Sequence, residues 1–185
     1  MSIVQRLMPP FAEWVLYKAS SVQAADLSDL KVEIVGPGQS LNPEQKNFLR
    51  QDIPALRLWH FLRFHRRGQG WLFFASSGKR LCHYTFVTPG RAYRRMFSVI
   101  EPDAQMIGPC FTVEAFRGRG IYPRLLRHVV NILGKRGLEP FYIYTQPANT
   151  KSIRGMEKAG FVRGGVWRGK RYFLDLRVVS RRVAD

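Results

Sequence analysis

Arg117, Gly118, Arg119 and Gly120 stand where an apolar, strand-like run (106–113) gives way to an amphipathic, helix-like run (121–134). About four N–H groups at the start of a helix have no intrahelical partner, and the aligned peptide dipoles add positive potential there. An anion set at that point meets several donors at once. Glycines let the main chain approach the anion without a Cβ in the way. Arginines add forked donors suited to phosphate. A tight turn with charged decoration is the other reading of the same four residues. The spacing is neither a P-loop, which needs Gly-Lys-Ser/Thr, nor a complete Gly-x-Gly-x-x-Gly fingerprint.

Other reactive side chains are sparse. Cys82 and Cys110 make no disulfide framework and no paired metal motif, which suits a reducing, intracellular setting. His60 and His65 are five residues apart and do not share a helix face, so no metal is expected.

The elements around these residues can be read from period and punctuation. Residues 11–20 and 29–35 alternate as strands do. Asn42 caps a helix with Pro43 in its first position. Pro54 restarts the pattern as a second helix ending at Gly68. Its face of Leu56, Leu58, Trp59, Phe61 and Leu62 suits packing on a sheet, and taken alone would also suit a membrane surface. Residues 70–77 and 80–88 form a hairpin through Gly78-Lys79. Strands follow at 93–100 and 106–113, and Pro109 predicts a bulge in the latter because it has no N–H to give. A helix over 121–134, a strand over 140–146 and a helix over 149–160 come next. A hairpin around Arg168-Gly169-Lys170 closes the chain. The expected fold class is α/β: one domain over 1–185, a mixed and mostly antiparallel sheet, helices on both faces, and a right-handed crossover joining a parallel pair.

The chain has 185 residues, enough for one well-buried core, and 45% apolar content rules out a disordered tail. No secretory leader is read at the start and no run nears the roughly 20 apolar residues of a membrane span. A cytoplasmic setting is expected, with contact at an inner membrane surface left open. Thirty Lys and Arg against 13 Asp and Glu leave +17, a field that favours anionic partners such as nucleic acid, acidic lipid or phosphorylated small molecules.

In this context "RGRGIY" (117–122) resembles the Gln/Arg-x-x-Gly-x-Gly/Ala signature of the GCN5-related N-acetyltransferase superfamily, matching at Arg117 and Gly120 but ending in Tyr122. "NTKSIRGMEKAGF" (149–161) resembles that superfamily's next helix, led by Asn149. The resemblance covers about 70–178, and "IGPCFTVEAFRGRGIYPRLL" is similar to members found with bacterial surface-polysaccharide genes. It implies a splayed central strand pair that holds acetyl-coenzyme A as co-substrate. The pyrophosphate would lie on main-chain N–H groups from Gly118 through Arg119, Gly120 and Ile121 to Tyr122, with Arg117 and Arg119 near the phosphates. The pantetheine arm would bond the backbone near Thr112 and Val113, steadied by Asn149 and Ser152.

Acetyl transfer to an amine needs a neutral nitrogen, an oxyanion donor and an acid for the leaving thiolate. The resemblance implies a tyrosine acid where this chain has Met156. Tyr144, sharing strand parity with Tyr142, is the substitute acid, while Tyr122 is expected too far from the thioester. His83, Glu101 and Asp103 are the candidate bases, and Cys110 is read as packing. The expected acceptor is a small amine, phosphorylated or otherwise anionic, such as an amino sugar on a nucleotide or lipid diphosphate. Two other functions stay open: a basic nucleic-acid-binding module, with arginines interleaved among aromatics, and a coenzyme A sensor without catalysis. Oligomeric state is not readable.

Overall fold

The computed structural model describes residues 12–171 and 178–183. Eight strands make one sheet in the order β2-β3-β4-β5-β6-β1-β7-β8. The strands are β1 Ala12–Ala19, β2 Lys31–Val35, β3 Trp71–Ser77, β4 Arg80–Pro89, β5 Gln105–Thr112, β6 Phe141–Thr145, β7 Val162–Arg171 and β8 Val178–Val183. The helices are α1 Pro43–Asp52, α2 Ala55–Arg66, α3 Ile121–Gly134 and α4 Thr150–Lys158. All ladders are antiparallel except β5–β6, which is parallel.

Period-2 alternation sends side chains to two cores. On one face, α3 and α4 cover Val15, Tyr17, Phe73, Val87, Ile107, Phe141 and Ile143. The helix repeat of Ile121, Leu125, Val129 and Leu133 supplies the buried stripe of α3. On the other face, α1 and α2 cover Leu72, Phe74, Tyr84 and Phe86. Beside them, Phe97, Ile100 and Ala104 pack on Trp14, Leu16, Met106, Tyr142 and Trp167. The α/β class with helices on both faces is the one expected.

Local signals explain the element ends. The Asn42 side chain accepts from Gln45 N (2.8 Å) while Gln45 Oε1 accepts from Asn42 N (3.1 Å), a reciprocal capping box. Pro109 coincides with a register shift of β5 against β4, between the pairs Thr85–Cys110 and Val87–Ile107.

Two expected elements differ. Residues 93–100 form no strand: Gly90–Tyr93 is a 3₁₀ turn, and Tyr93 O accepts from both Met96 N and Phe97 N (2.8 Å each). The apolar residues there, Tyr93, Met96, Phe97 and Ile100, are three and four apart, so a curled segment presents all of them to one sheet face. Gly90 is fixed by close approach, since a Cβ would sit 2.6 Å from Ala104 O. The second correction concerns the closing hairpin. Arg168, Gly169 and Lys170 lie inside β7, paired with Arg181, Ser180 and Val179. Residues 172–177 of that expected hairpin lie outside the described residues.

Removing the cap reads out its worth. Asn42→Ala should cost about 1 kcal/mol and lower the thermal midpoint by about 3 °C, as measured by circular dichroism.

Candidate active site

The site starts where β5 and β6 separate. They pair only at Gln105–Phe141 and Met106–Tyr142. Beyond that, β5 stays with β4 as far as His83–Thr112, and β6 stays with β1 as far as Val15–Thr145. The sheet parts into two halves, and a cavity of about 1090 Å³ opens between them. Its walls include Ile107–Thr112 on one side and Ile143–Gln146 on the other, and it runs to the start of α3 and along α4.

The turn into α3 is built for access to the main chain. Gly118 and Gly120 take positive φ (80° and 69°), which a side chain would resist. A Cβ at either would meet nothing within 4 Å, so the backbone there faces open space. Gly120 is the N-cap of α3 and no side chain caps that end. Among the described residues, no backbone carbonyl accepts from the N–H groups of Gly118 through Tyr122. Gly118, Gly120, Ile121 and Tyr122 line the cavity, with the positive end of a 14-residue helix behind them.

The sequence-predicted residues fall into three groups. Thr112, Arg117, Gly118, Gly120, Ile121, Tyr122, Tyr144, Asn149 and Ser152 line the cavity. Arg117 turns its Nε back to Thr112 O (3.0 Å) and lies over Phe111. Asn149 Oδ1 accepts from Ser152 N (3.1 Å), capping α4. Val113 and Arg119 stand outside the lining. Val113 N–H is given to Cys82 O (2.9 Å), toward β4, and Arg119 stacks on Phe116, 5.2 Å from its ring centre.

His83 and Glu101 also lie outside the lining. His83 is buried, with Nδ1 2.7 Å from Thr112 Oγ1 and Nε2 2.8 Å from Thr85 Oγ1. Burial drives its pKa down to about 3, so the ring is neutral and occupied as a strut between strands. Glu101 receives Lys18 Nζ and the Tyr142 hydroxyl, each at 2.7 Å. Partial burial pushes its carboxyl up, but those two bonds outweigh it and leave the pKa below the ordinary value. Tyr142 is thus tied to Glu101, while Tyr144, on the same face, packs on Phe97 and Tyr93 with ring centres 5.2 and 6.1 Å away.

Cys110 lines the cavity beside Thr85, and burial pushes its thiol up to about 12. A thiol held neutral is a poor nucleophile, which argues against an acyl-cysteine route. Met156 is wholly buried and not in the lining. The lining contains Arg117, Lys151, Arg154 and Lys158, and among the described residues no Asp, Glu or His. No three His, Cys, Asp or Glu side chains cluster as a metal site among the described residues.

Sequence reasoning missed the aromatic wall on the α1/α2 face, where Trp14, Phe61, Tyr93 and Phe111 join Tyr144. They come from five separate elements, so no spacing in the chain could show them together.

Residues 42–161 match the Acetyltransferase (GNAT) family, and the chain belongs to that family. No curated protein matches it in sequence. Among solved structures it is similar to a GNAT-family acetyltransferase from Colwellia psychrerythraea (16% identity, TM-score 0.60, 95% of this chain and 58% of that one). It is also similar to a GCN5-related N-acetyltransferase from Sphaerobacter thermophilus (14% identity, TM-score 0.63, 91% and 54%). A third likeness is to AAC(6')-Iy in complex with the bisubstrate analog CoA-S-monomethyl-acetylneamine (14% identity, TM-score 0.55, 72% and 90%). The chain thus spans little more than half the length of the first two. At these identities the likeness is one of fold.

His83 carries a pH signature. Its folded pKa lies below the ordinary 6.5, so the unfolded chain gains a proton that the folded chain refuses as pH falls. Stability is retained above pH 6.5 and drains away toward pH 3. The urea midpoint should therefore fall less steeply between pH 6.5 and 4 in His83→Gln than in the wild type.

Proposed function

We propose that this protein transfers the acetyl group of acetyl-coenzyme A directly to an amine. One observation carries the reading: a parallel strand pair, parted after two residue pairs, opens onto the uncapped start of a helix. Family membership agrees with it. In this reading Gly118, Gly120, Ile121 and Tyr122 offer N–H groups to the pyrophosphate, with Arg119 close by. Arg117, Lys151, Arg154 and Lys158 supply positive charge to the phosphates along the α4 side. The pantetheine arm lies in the slot along β5, between Thr112 and Cys110, with Asn149 and Ser152 flanking it from α4. A β5 edge released from β6 has free main-chain groups to pair with that arm as a strand would.

Both substrates would occupy the cavity together, so transfer proceeds through a ternary complex and gains from proximity. The acceptor would enter from the α1/α2 face, where Tyr144 and its aromatic neighbours present flat surfaces. Its proposed class is an amine borne on a phosphorylated sugar or similar anion. The net charge of +17 and the absence of acidic side chains from the described lining both disfavour polycations.

The nucleic-acid reading gains nothing from the placed aromatics. Arg136 covers Trp71 (4.6 Å), Arg117 covers Phe111 (5.8 Å) and Arg119 covers Phe116, so these rings are already stacked within the chain.

Calorimetry with coenzyme A tests the cradle. The wild type should bind, and Gly120→Trp should bind at least about tenfold more weakly, since the indole fills the approach that the anion needs. Undiminished binding by the variant would overturn the assignment. Thiol release should then be faster with a nucleotide-linked amino sugar than with polylysine. Coenzyme A binding with no thiol release for any amine would leave a sensor.

A further inference from the structure

We propose that the protein holds a second small-molecule site, between α1 and α2, for a phosphate monoester with an apolar tail. A cavity of about 410 Å³ lies there, a size ordinary for small-molecule sites. No residue lines both this cavity and the larger one, so the site is separate from the slot between β5 and β6. It does not rest on the acetyl-transfer reading.

The recess is framed by α1, α2 and residues 38–41 of the loop between β2 and α1. Buried His65 fixes that frame. Its ring places Nε2 2.6 Å from Gln39 O and Nδ1 3.0 Å from Gly70 O, and its own carbonyl accepts from Gly38 N (2.9 Å). The loop is thereby pinned to the end of α2, and the recess is formed before anything enters it.

Floor and rim differ in kind. Leu41, Leu49 and Leu58 are buried and Leu62 is half-buried, and together they make an apolar floor. Lys46, Arg50 and Arg66 are exposed and make the rim. Among the described residues the lining contains no Asp or Glu, and none of these three cations forms an ion pair. Lys46 and Arg50 stand one turn apart on α1, where like charges repel, and an anion at the rim relieves that repulsion.

The chemistry of the occupant follows from this order. An acidic head meets the rim, where two guanidinium forks suit phosphate oxygens. A tail directed inward leaves water for the leucine floor. A phosphate monoester carries between one and two charges at neutral pH, and so answers three cations better than a carboxylate does. Because the tail points into the protein, the ligand is a soluble amphiphile. A bilayer lipid would keep its tails on the far side of its head, away from the recess.

Calorimetry with octyl phosphate, held below its micelle concentration, tests the site. Saturable binding is expected, with inorganic phosphate and octanol each at least about tenfold weaker, since each lacks one half of the interaction. Octanoate should also bind more weakly. Arg50→Glu should weaken octyl phosphate at least about tenfold, and Leu62→Trp, which fills the recess, should do the same. Arg95→Glu makes the same change of charge at an exposed position outside the lining, and should leave binding unchanged. Gly120→Trp should also leave it unchanged. Octyl phosphate no tighter than inorganic phosphate overturns the proposal, as does an Arg95→Glu variant as weak as Arg50→Glu, which reduces the effect to the general positive field. Binding lost in Gly120→Trp would place the ligand at the start of α3 and overturn it too, while leaving the coenzyme A cradle standing.

Discussion

Everything in this structure depends on the early parting of β5 from β6. A parallel pair normally continues its ladder, and here it stops after two residue pairs because each strand follows its other neighbour. β5 keeps its antiparallel bonds to β4, helped past Pro109 by a register shift, and β6 keeps its bonds to β1. Sheet twist then carries the two halves apart. The gap exposes main-chain edges that any stable sheet would pair, and it ends at a helix start with no side-chain cap. Gly118, Arg119 and Gly120 are exposed, so their N–H groups stand open to solvent at the start of that helix.

The surrounding residues read as support for that gap. His83 braces β4 against β5 through Thr112, and the Lys18–Glu101–Tyr142 group fastens β1, β6 and the segment before β5. Arg124 pairs with Asp29 in front of β2, tying the exposed side of α3 to the N-terminal region. These contacts involve side chains that could have served as acid or base, and each is already engaged in holding the frame. Such engagement leaves the cavity with no Asp, Glu or His in its lining among the described residues.

Much of the frame was legible in the sequence. The ends of α3 at Ile121 and Gly134, the Asn42 cap and the 70–88 hairpin follow from local rules, and the structure has them where period and punctuation put them. Residues 93–100 were misread because Tyr93, Met96, Phe97 and Ile100 satisfy a helical spacing that an alternating reading overlooks. The insertion of β1 between β6 and β7 had no local signal, since pairing over more than 120 residues is decided by the assembled core. At the site, the glycines were readable because φ and close approach leave a mark on residue type. The packing of the Tyr122 ring against α4 was not, because it depends on a missing Cβ at Gly155, on a different helix.

The most direct test is a crystal structure of the protein with coenzyme A. The account predicts pyrophosphate oxygens within hydrogen-bonding distance of the N–H groups of Gly118 to Tyr122, and pantetheine lying between β5 and β6. Coenzyme A seated elsewhere, with those amides still facing solvent, would contradict it.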